Sequence, residues 1–227
     1  MEQKLVIFAT REKEAGIDLI KSAGFELVEG DPNIVMTYGG DGTLMRAEHK
    51  FPDVPKLVLR ASLICKKCSP YSNEEVLKLF KDGKYVVEEL QKLEAHVNNK
   101  AIIGLNDINI HNADPRHAVR YRYAINGVEQ AQDVIGDGAV FATPFGSSGY
   151  YRSITKSTFE RGIGMAFNNS TEPFDHMALG EEALIKITIT RGPAIVFADN
   201  QSDHILLKDG DVVQIKKSSS VAKILKF

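Results

Sequence analysis

Tyr38-Gly39-Gly40-Asp41-Gly42-Thr43 lies between two segments of different character. Before it, Ile34-Val35-Met36-Thr37 is short and apolar enough for a buried strand; after it, Leu44, Met45, Ala47 and Glu48 begin a helix. Three glycines in four positions let backbone N–H groups approach an anion closely, and the helix that follows adds its positive dipole end. Gly39, Gly40, Gly42 and Thr43 are therefore candidate phosphate-binding residues. Asp41 stands among them although a carboxylate repels phosphate. Two readings of it are open. It is a base that takes a proton from a hydroxyl attacking a phosphoryl group, or Asp41 or Thr43 caps the next helix.

Outward from this loop the first third of the chain alternates strand and helix. Leu5–Ala9 reads as a strand and 11–23 as a helix ended by Gly24, with 26–28 a short strand. Residues 56–59 make a further strand, and 72–80 a helix with Asn73 near its cap and Gly83 after its end. This alternation implies a mainly parallel sheet with helices around it. Ligands of such sheets bind beyond the carboxyl ends of the strands, where the glycine loop falls.

Near Tyr85 the texture changes. Leu93, Ala95 and Val97 alternate with Glu94 and His96, Tyr121, Tyr123 and Ile125 with Arg120, Arg122 and Ala124, and Ile185, Ile187 and Ile189 with Lys186, Thr188 and Thr190. Period two is the mark of half-buried antiparallel strands, with Asn126-Gly127 and Lys208-Asp209-Gly210-Asp211 as hairpin turns. The expected domains are 1–84, an α/β domain carrying the glycine loop; 85–215, a β-rich domain; and 216–227, a tail returning to the first. No linker or low-complexity tract separates the halves, so a site in a cleft between them is expected.

At 227 residues, 43% hydrophobic and 26% charged, the chain reads as an ordinary soluble globular protein. A net charge of −2 implies no broad basic surface for nucleic acid. No apolar run approaches the ~20 residues of a membrane span, and a cytoplasmic location is expected. The two cysteines occur as Cys65-Lys66-Lys67-Cys68, and the six histidines show no metal-ligand spacing, so no protein-bound metal is expected. Two free thiols on a loop is the preferred reading. A redox pair is the alternative, because the adjacent lysines would lower a thiol pKa.

A second glycine-rich stretch lies in the β-rich half: Gly136-Asp137-Gly138, then Thr143-Pro144-Phe145-Gly146-Ser147-Ser148-Gly149-Tyr150-Tyr151-Arg152-Ser153. Backbone donors and hydroxyls suit ribose or amide groups, and an aromatic ring can stack on a base. A tight turn with Tyr150 or Tyr151 as core filler is the other reading. In Leu105-Asn106-Asp107-Ile108, adjacent amide and carboxylate side chains would grip ribose hydroxyls only if a bulge or turn brings them to one side.

In order, these pieces resemble the NAD kinase family. Its Gly-Gly-Asp-Gly loop falls at residues 39–42 and its Asn-Glu pair at Asn106-Asp107. Its Thr-Pro-x-Gly-Ser-Thr-Ala-Tyr block falls at 143–150, with the preceding Asp-Gly at Asp137-Gly138 and the later Asp-Gly-Gln tract at Asp199-Asn200-Gln201. The glycine loop alone is shared with lipid kinases and phosphofructokinases; its combination with the 143–150 block selects NAD kinase. The resemblance implies an α/β domain joined to a β-rich domain, as a homodimer or homotetramer. It implies transfer of the γ-phosphoryl of ATP, or of polyphosphate, to the 2′-hydroxyl of the adenosine ribose of NAD, with Mg²⁺ or another divalent cation accompanying ATP. Asp41 would be the base, and Asn106, Asp107, Asp137, Ser148, Gly149, Tyr150 and Ser153 would contact NAD. The alternatives are a lipid kinase and a non-catalytic sensor of NAD or NADP.

Some positions depart from the family pattern. Asp107 replaces Glu, Phe145 a small hydroxyl residue, Gly149 Ala and Asn200 Gly. Residues 60–68 replace a glycine- and leucine-containing tract, and a Pro-His-Ser-Leu tract survives only as His176-Met177-Ala178-Leu179.

Overall fold

The first strand, β1 (Leu5–Ala9), and the next, β2 (Ile34–Gly39), pair in parallel from Leu5↔Ile34 to Ala9↔Tyr38. A third, β3 (Lys56–Arg60), lies parallel on the other side of β2. These are coordinates of a computed structural model that describes residues 3–63, 65–130, 132–173 and 175–227. Ile34, Val35, Met36 and Thr37 are all buried, as a strand with neighbours on both edges requires. Helices α1 (Lys13–Ser22), α2 (Asp41–Lys50) and α3 (Asn73–Lys81) follow the three strands in turn. The apolar faces of α1 and α3 meet the sheet in a core built on Ile20, Met36, Leu57, Leu59, Val76 and Phe80. The far end of α2 is tied to β3 by the buried Lys56–Glu48 ion pair, and Lys56 Nζ also donates to the Phe51 carbonyl at 2.5 Å.

One local expectation is sharpened and one corrected. Asn73 lies beside the cap of α3 as expected, and the cap itself is Ser72: its hydroxyl accepts from the Glu75 N–H at 3.2 Å while Glu75 accepts from the Ser72 N–H at 2.8 Å. Asn73 instead clamps the Arg60 backbone, accepting from its N–H and donating to its carbonyl at 2.7 and 2.8 Å. Residues 26–28 make only a bridge, Leu27 to Leu5, because the chain turns with positive φ at Gly24 before them and at Gly30 and Asp31 after them.

The chain divides into two compact units, Met1–Leu90 with Val221–Phe227, and Gln91–Ser220. In the first unit Ile224 lies in parallel register with Lys56 of β3, so residues 221–227 supply a further strand. The second unit contains little helix. Its strands, some of them completed outside it, are β4 (Val86–Val97), β5 (Lys100–Gly104), β6 (Asp107–Asn112), β7 (Val119–Ile125), β8 (Val128–Glu129), β9 (Val134–Gly136), β10 (Gly138–Ala142), β11 (Ile163–Asn168), β12 (His176–Leu179), β13 (Ile185–Arg191), β14 (Ala194–Ala198), β15 (His204–Leu207) and β16 (Val212–Lys226). One short helix, α4 (Tyr150–Thr155), follows a 3₁₀ turn at Gly146–Ser148.

Six of these strands form an antiparallel sheet in the order β12-β11-β10-β6-β14-β15. Facing residues come from β7, β13 and the start of β16, also antiparallel. Ile185, Ile187 and Ile189 are fully buried between the layers, as their alternation foretold. Asn126 and Gly127 turn the β7–β8 hairpin with φ of 51° and 83°, and Gly210 turns β15 into β16 with φ of 86°. The architecture is thus the expected one, a mainly parallel α/β portion followed by a β-rich portion. Among the described residues no helix is long and apolar enough to cross a membrane.

The cysteine expectation fails. Cys65 and Cys68 are joined as a disulfide, with Cα atoms 5.5 Å apart, and neither is a free thiol.

Candidate active site

In the first unit, β2 delivers Gly39 and Gly40 to the carboxyl end of the sheet, and α2 begins immediately at Asp41. Gly39 must be glycine: a Cβ there would lie 2.2 Å from Thr43 Oγ1. The Thr43 hydroxyl lies 3.1 Å from that of Thr10. The N-cap is Gly40, with extended backbone and no side-chain cap bond, so neither Asp41 nor Thr43 caps the helix. The Asp41 carboxylate faces the 65–68 loop. Its Oδ2 accepts from the Lys66 N–H at 3.1 Å and its Oδ1 from the Lys67 N–H at 3.0 Å. The Lys67 ammonium is half-buried; burial lowers its pKa, and the Asp41 charge opposes that shift.

In the second unit the turn before β6 brings Asn106 and Asp107 to one side. A Cβ on Gly149 would lie 3.7 Å from Asn106 Nδ2 and 4.0 Å from Asp107 Oδ2, so both side chains converge on that position. The turn is held by Asp199, whose carboxylate accepts from the N–H groups of Leu105, Asn106 and Asp107 at 2.9, 2.7 and 3.2 Å. Asn109 Nδ2 donates to Asp107 Oδ1 at 2.6 Å. Among the described residues the buried oxygens Asn106 Oδ1 and Asn109 Oδ1 find no hydrogen-bond partner. Buried acceptors are seldom left so, and a polar ligand would satisfy them.

Register explains the rest of this surface. Asp107 and Asn109 lie opposite Ala142 and Val140 of β10, which in turn lie opposite Gly164 and Ala166 of β11. These small residues leave room for α4, whose Tyr151 is buried on Val140, Ala142 and Ala166 with Phe159 edge-on. Tyr151 is therefore the core filler. Tyr150 is half-buried, and its hydroxyl accepts from Asn168 Nδ2 at 2.9 Å. Burial raises its phenol pKa, and the Asn168 hydrogen bond opposes that.

Asp137 is not beside Asp107. It precedes Gly138, which pairs with His111, and its carbonyl accepts from the Asn112 N–H, so it lies five residues along β6 from Asp107, roughly 17 Å at ~3.3 Å per residue. Its two carboxylate oxygens accept from Asn112 and Asn169, each at 3.1 Å. Ser148 is half-buried in the 3₁₀ turn; Ser153 is exposed on α4 and donates to the Tyr150 carbonyl at 2.7 Å. Sequence reasoning did not single out Asn109, Asn112, Asn168 and Asn169, nor the clamp that Asp199 forms. For Asn109 a signal existed, since Asp107 and Asn109 are polar on the same face of a strand.

Burial drives the Asp107 carboxyl up to about 7, the nearby Asp199 charge adds to this, and the Asn109 hydrogen bond opposes it. A carboxyl whose folded pKa is raised binds its proton more tightly in the native state. Its contribution to stability is full below the unfolded value near 3.8 and is lost as pH rises through about 7. We expect the melting temperature to fall between pH 5 and 8. Asp107→Asn should flatten that slope and be the more stable protein at pH 8. Parallel melting curves for parent and variant across that range would disprove the shift.

No family model matches the chain. An NAD kinase from Sulfurisphaera tokodaii is 29% identical over 221 residues, which cover 92% of this chain and 87% of that protein. Another from Saccharolobus solfataricus is 28% identical over an alignment 238 positions long, spanning 100% of this chain and 94% of its relative. The chain belongs to the NAD kinase family. Two solved structures share the NAD kinase fold. A yeast NADH kinase complexed with NADH superposes with a TM-score of 0.84 at 20% identity, covering 99% of this chain and 83% of that one. An NAD kinase from Archaeoglobus fulgidus in complex with ATP gives 0.81 at 20% identity, covering 98% and 93%.

Proposed function

We propose that this chain is an NAD kinase, transferring the γ-phosphoryl of ATP to the 2′-hydroxyl of the adenosine ribose of NAD to give NADP. The observation that carries the reading is Asp41, a carboxylate on the glycine loop that does no capping. Its place at the carboxyl end of β2, where α2 starts, suits a base among phosphates. In this reading the backbone of Gly39, Gly40 and Gly42, with Thr43, holds the phosphates, and the α2 dipole favours their charge. Asn106 and Asp107 hold the ribose hydroxyls, which supply the partners that buried Asn106 Oδ1 lacks. Tyr150 offers a ring face for a base, with Gly149, Ser148, Ser153 and Asp137 along the same dinucleotide. The roughly 17 Å between Asp107 and Asp137 suits an extended ligand with two nucleoside ends.

Mg²⁺ would arrive with ATP, neutralising phosphate charge, with Asp41 as the carboxylate at hand. Among the described residues no group of three or more His, Cys, Asp or Glu could form a cage for it. That fits an ion that relies on substrate phosphates and water. Polyphosphate as an alternative donor, assembly as a homodimer or homotetramer, and a cytoplasmic location belong to the same proposal. A lipid kinase sharing the glycine loop would leave the Asn106–Asp107 pair and the Asp199 clamp unused.

The test is turnover. Reduced protein with NAD, ATP and Mg²⁺ should yield NADP, followed by a coupled NADP-specific dehydrogenase, with polyphosphate and NADH as parallel arms. NAD binding without turnover on any donor would favour the sensor and overturn the reading.

A further inference from the structure

The four residues Cys65 to Cys68 close a small ring through their disulfide, and two of the three N–H groups inside it converge on one carboxylate. Lys66 N–H donates to Asp41 Oδ2 at 3.1 Å and Lys67 N–H to Asp41 Oδ1 at 3.0 Å. Cys65 Sγ itself lies 3.2 Å from Asp41 Oδ1. Both oxygens of the proposed base therefore already serve the loop, and a sulfur stands against one of them.

The loop is pinned at its ends, and its middle borders open space. Asn73 holds the Arg60 backbone, and Arg60 Nη2 donates to the Ser69 carbonyl at 3.3 Å. Lys67 and Cys68 border a cavity of about 100 Å³ against Val58, Leu225 and Phe227. Opening the ring would free residues 65–68 to move into space already present, without unseating β3 or α3.

We infer that Cys65 and Cys68 are a redox modification site that, when oxidised, holds the loop on Asp41 and withholds the base from substrate, and that a dithiol reductant reverses this. The inference rests on the reading of Asp41 as the base. In the reducing step a thiolate of the dithiol attacks one sulfur, the Cys65–Cys68 bond breaks, and the mixed disulfide resolves. Cys65 and Cys68 gain two electrons and two protons, and the dithiol leaves as its own disulfide. Without the ring the Lys66 and Lys67 N–H groups are no longer held pointing at one carboxylate. Lysines beside both thiols favour the thiolate that re-forms the bond.

The experiment compares parent and Cys65→Ser/Cys68→Ser protein, each reduced with dithiothreitol or oxidised with diamide, with thiols counted by mass. Two readouts are taken: kcat and KM for NADP formation, and hydrogen exchange of the Lys66 and Lys67 amides by NMR. We expect the oxidised parent to lose at least about 10-fold in kcat, with KM for NAD unchanged, since withholding a general base costs rate rather than binding. The serine variant should match the reduced parent in both conditions, and both amides should exchange at least about 10-fold faster after reduction. Equal kcat in the two redox states of the parent would overturn the inference, even if reduction lowers the melting temperature, for that is a staple and not a switch. If neither state turns over, the proposed reaction fails, and amide exchange alone then decides the clamp: unchanged exchange overturns it, faster exchange in the reduced form sustains it.

Discussion

Asp41→Asn, assayed in the reduced protein, should lower kcat at least ~100-fold, the lower bound for losing a general base. Asparagine keeps the size of the side chain but cannot take the proton of the attacking hydroxyl. Affinity for NAD and ATP should be retained or slightly improved, because a negative charge has left the neighbourhood of phosphates. Stability should change little, since Asp41 makes no cap bond and its partners are the N–H groups of the 65–68 loop. That separates the two readings the residue allowed. A cap would have cost ~0.5–2 kcal/mol on truncation to alanine and almost nothing on change to asparagine. Measuring kcat, both affinities and the melting temperature for the Asn and Ala variants tests the assignment; an Asn variant with near-parental turnover ends it.

Gly146→Ala should do comparable damage by a different route. A Cβ there would lie 2.0 Å from the Asn106 carbonyl oxygen, 2.4 Å from its carbon and 2.5 Å from the Asn106 Cα, all backbone atoms. The turn cannot yield cheaply, because the Asn106 carbonyl accepts from the Thr143 N–H at 2.8 Å and Asp199 holds the N–H groups on the same segment. Such overpacking costs ~1–3 kcal/mol or more, and relief must come by pushing Asn106 and Asp107 out of place. We expect KM for NAD to rise at least ~10-fold, about 1.4 kcal/mol, together with a lower melting temperature. Gly149→Ala is the control. Its Cβ would meet the Gly146 carbonyl at 3.1 Å and the Asn106 amide only at 3.7 Å, so it should leave KM within a few-fold. Two alanines three residues apart with the same effect would mean that the turn does not position the pair.

What could be read from the residues alone was whatever local chemistry sets. The parallel strands, the glycine loop between β2 and α2, and the alternating isoleucines of β13 each follow from a pattern a few residues long. Gly24, Gly83 and Gly210 have the positive φ that their place after an element suggested. What escaped was what tertiary structure sets. The Asp199 carboxylate reaches N–H groups 92 to 94 residues away, and nothing local to either segment announces it. The disulfide and its seat on Asp41 join residues about 25 apart, so the spacing of the cysteines could not say what their loop covers. Asn73 lies next to the cap as its position suggested, but its grip on the Arg60 backbone 13 residues away has no local signature.

The first unit is discontinuous, with Ile224 beside Lys56, whereas Gln91–Ser220 is an unbroken span. During synthesis at ~5–20 residues per second, β3 waits on the order of ten seconds for the strand that flanks it. By then every residue of the second unit has been made. The unit that holds the glycine loop is begun first and finished last, so under the proposed reading the Asn106–Asp107 half of the site can be complete before the sheet that carries Asp41 receives its last strand.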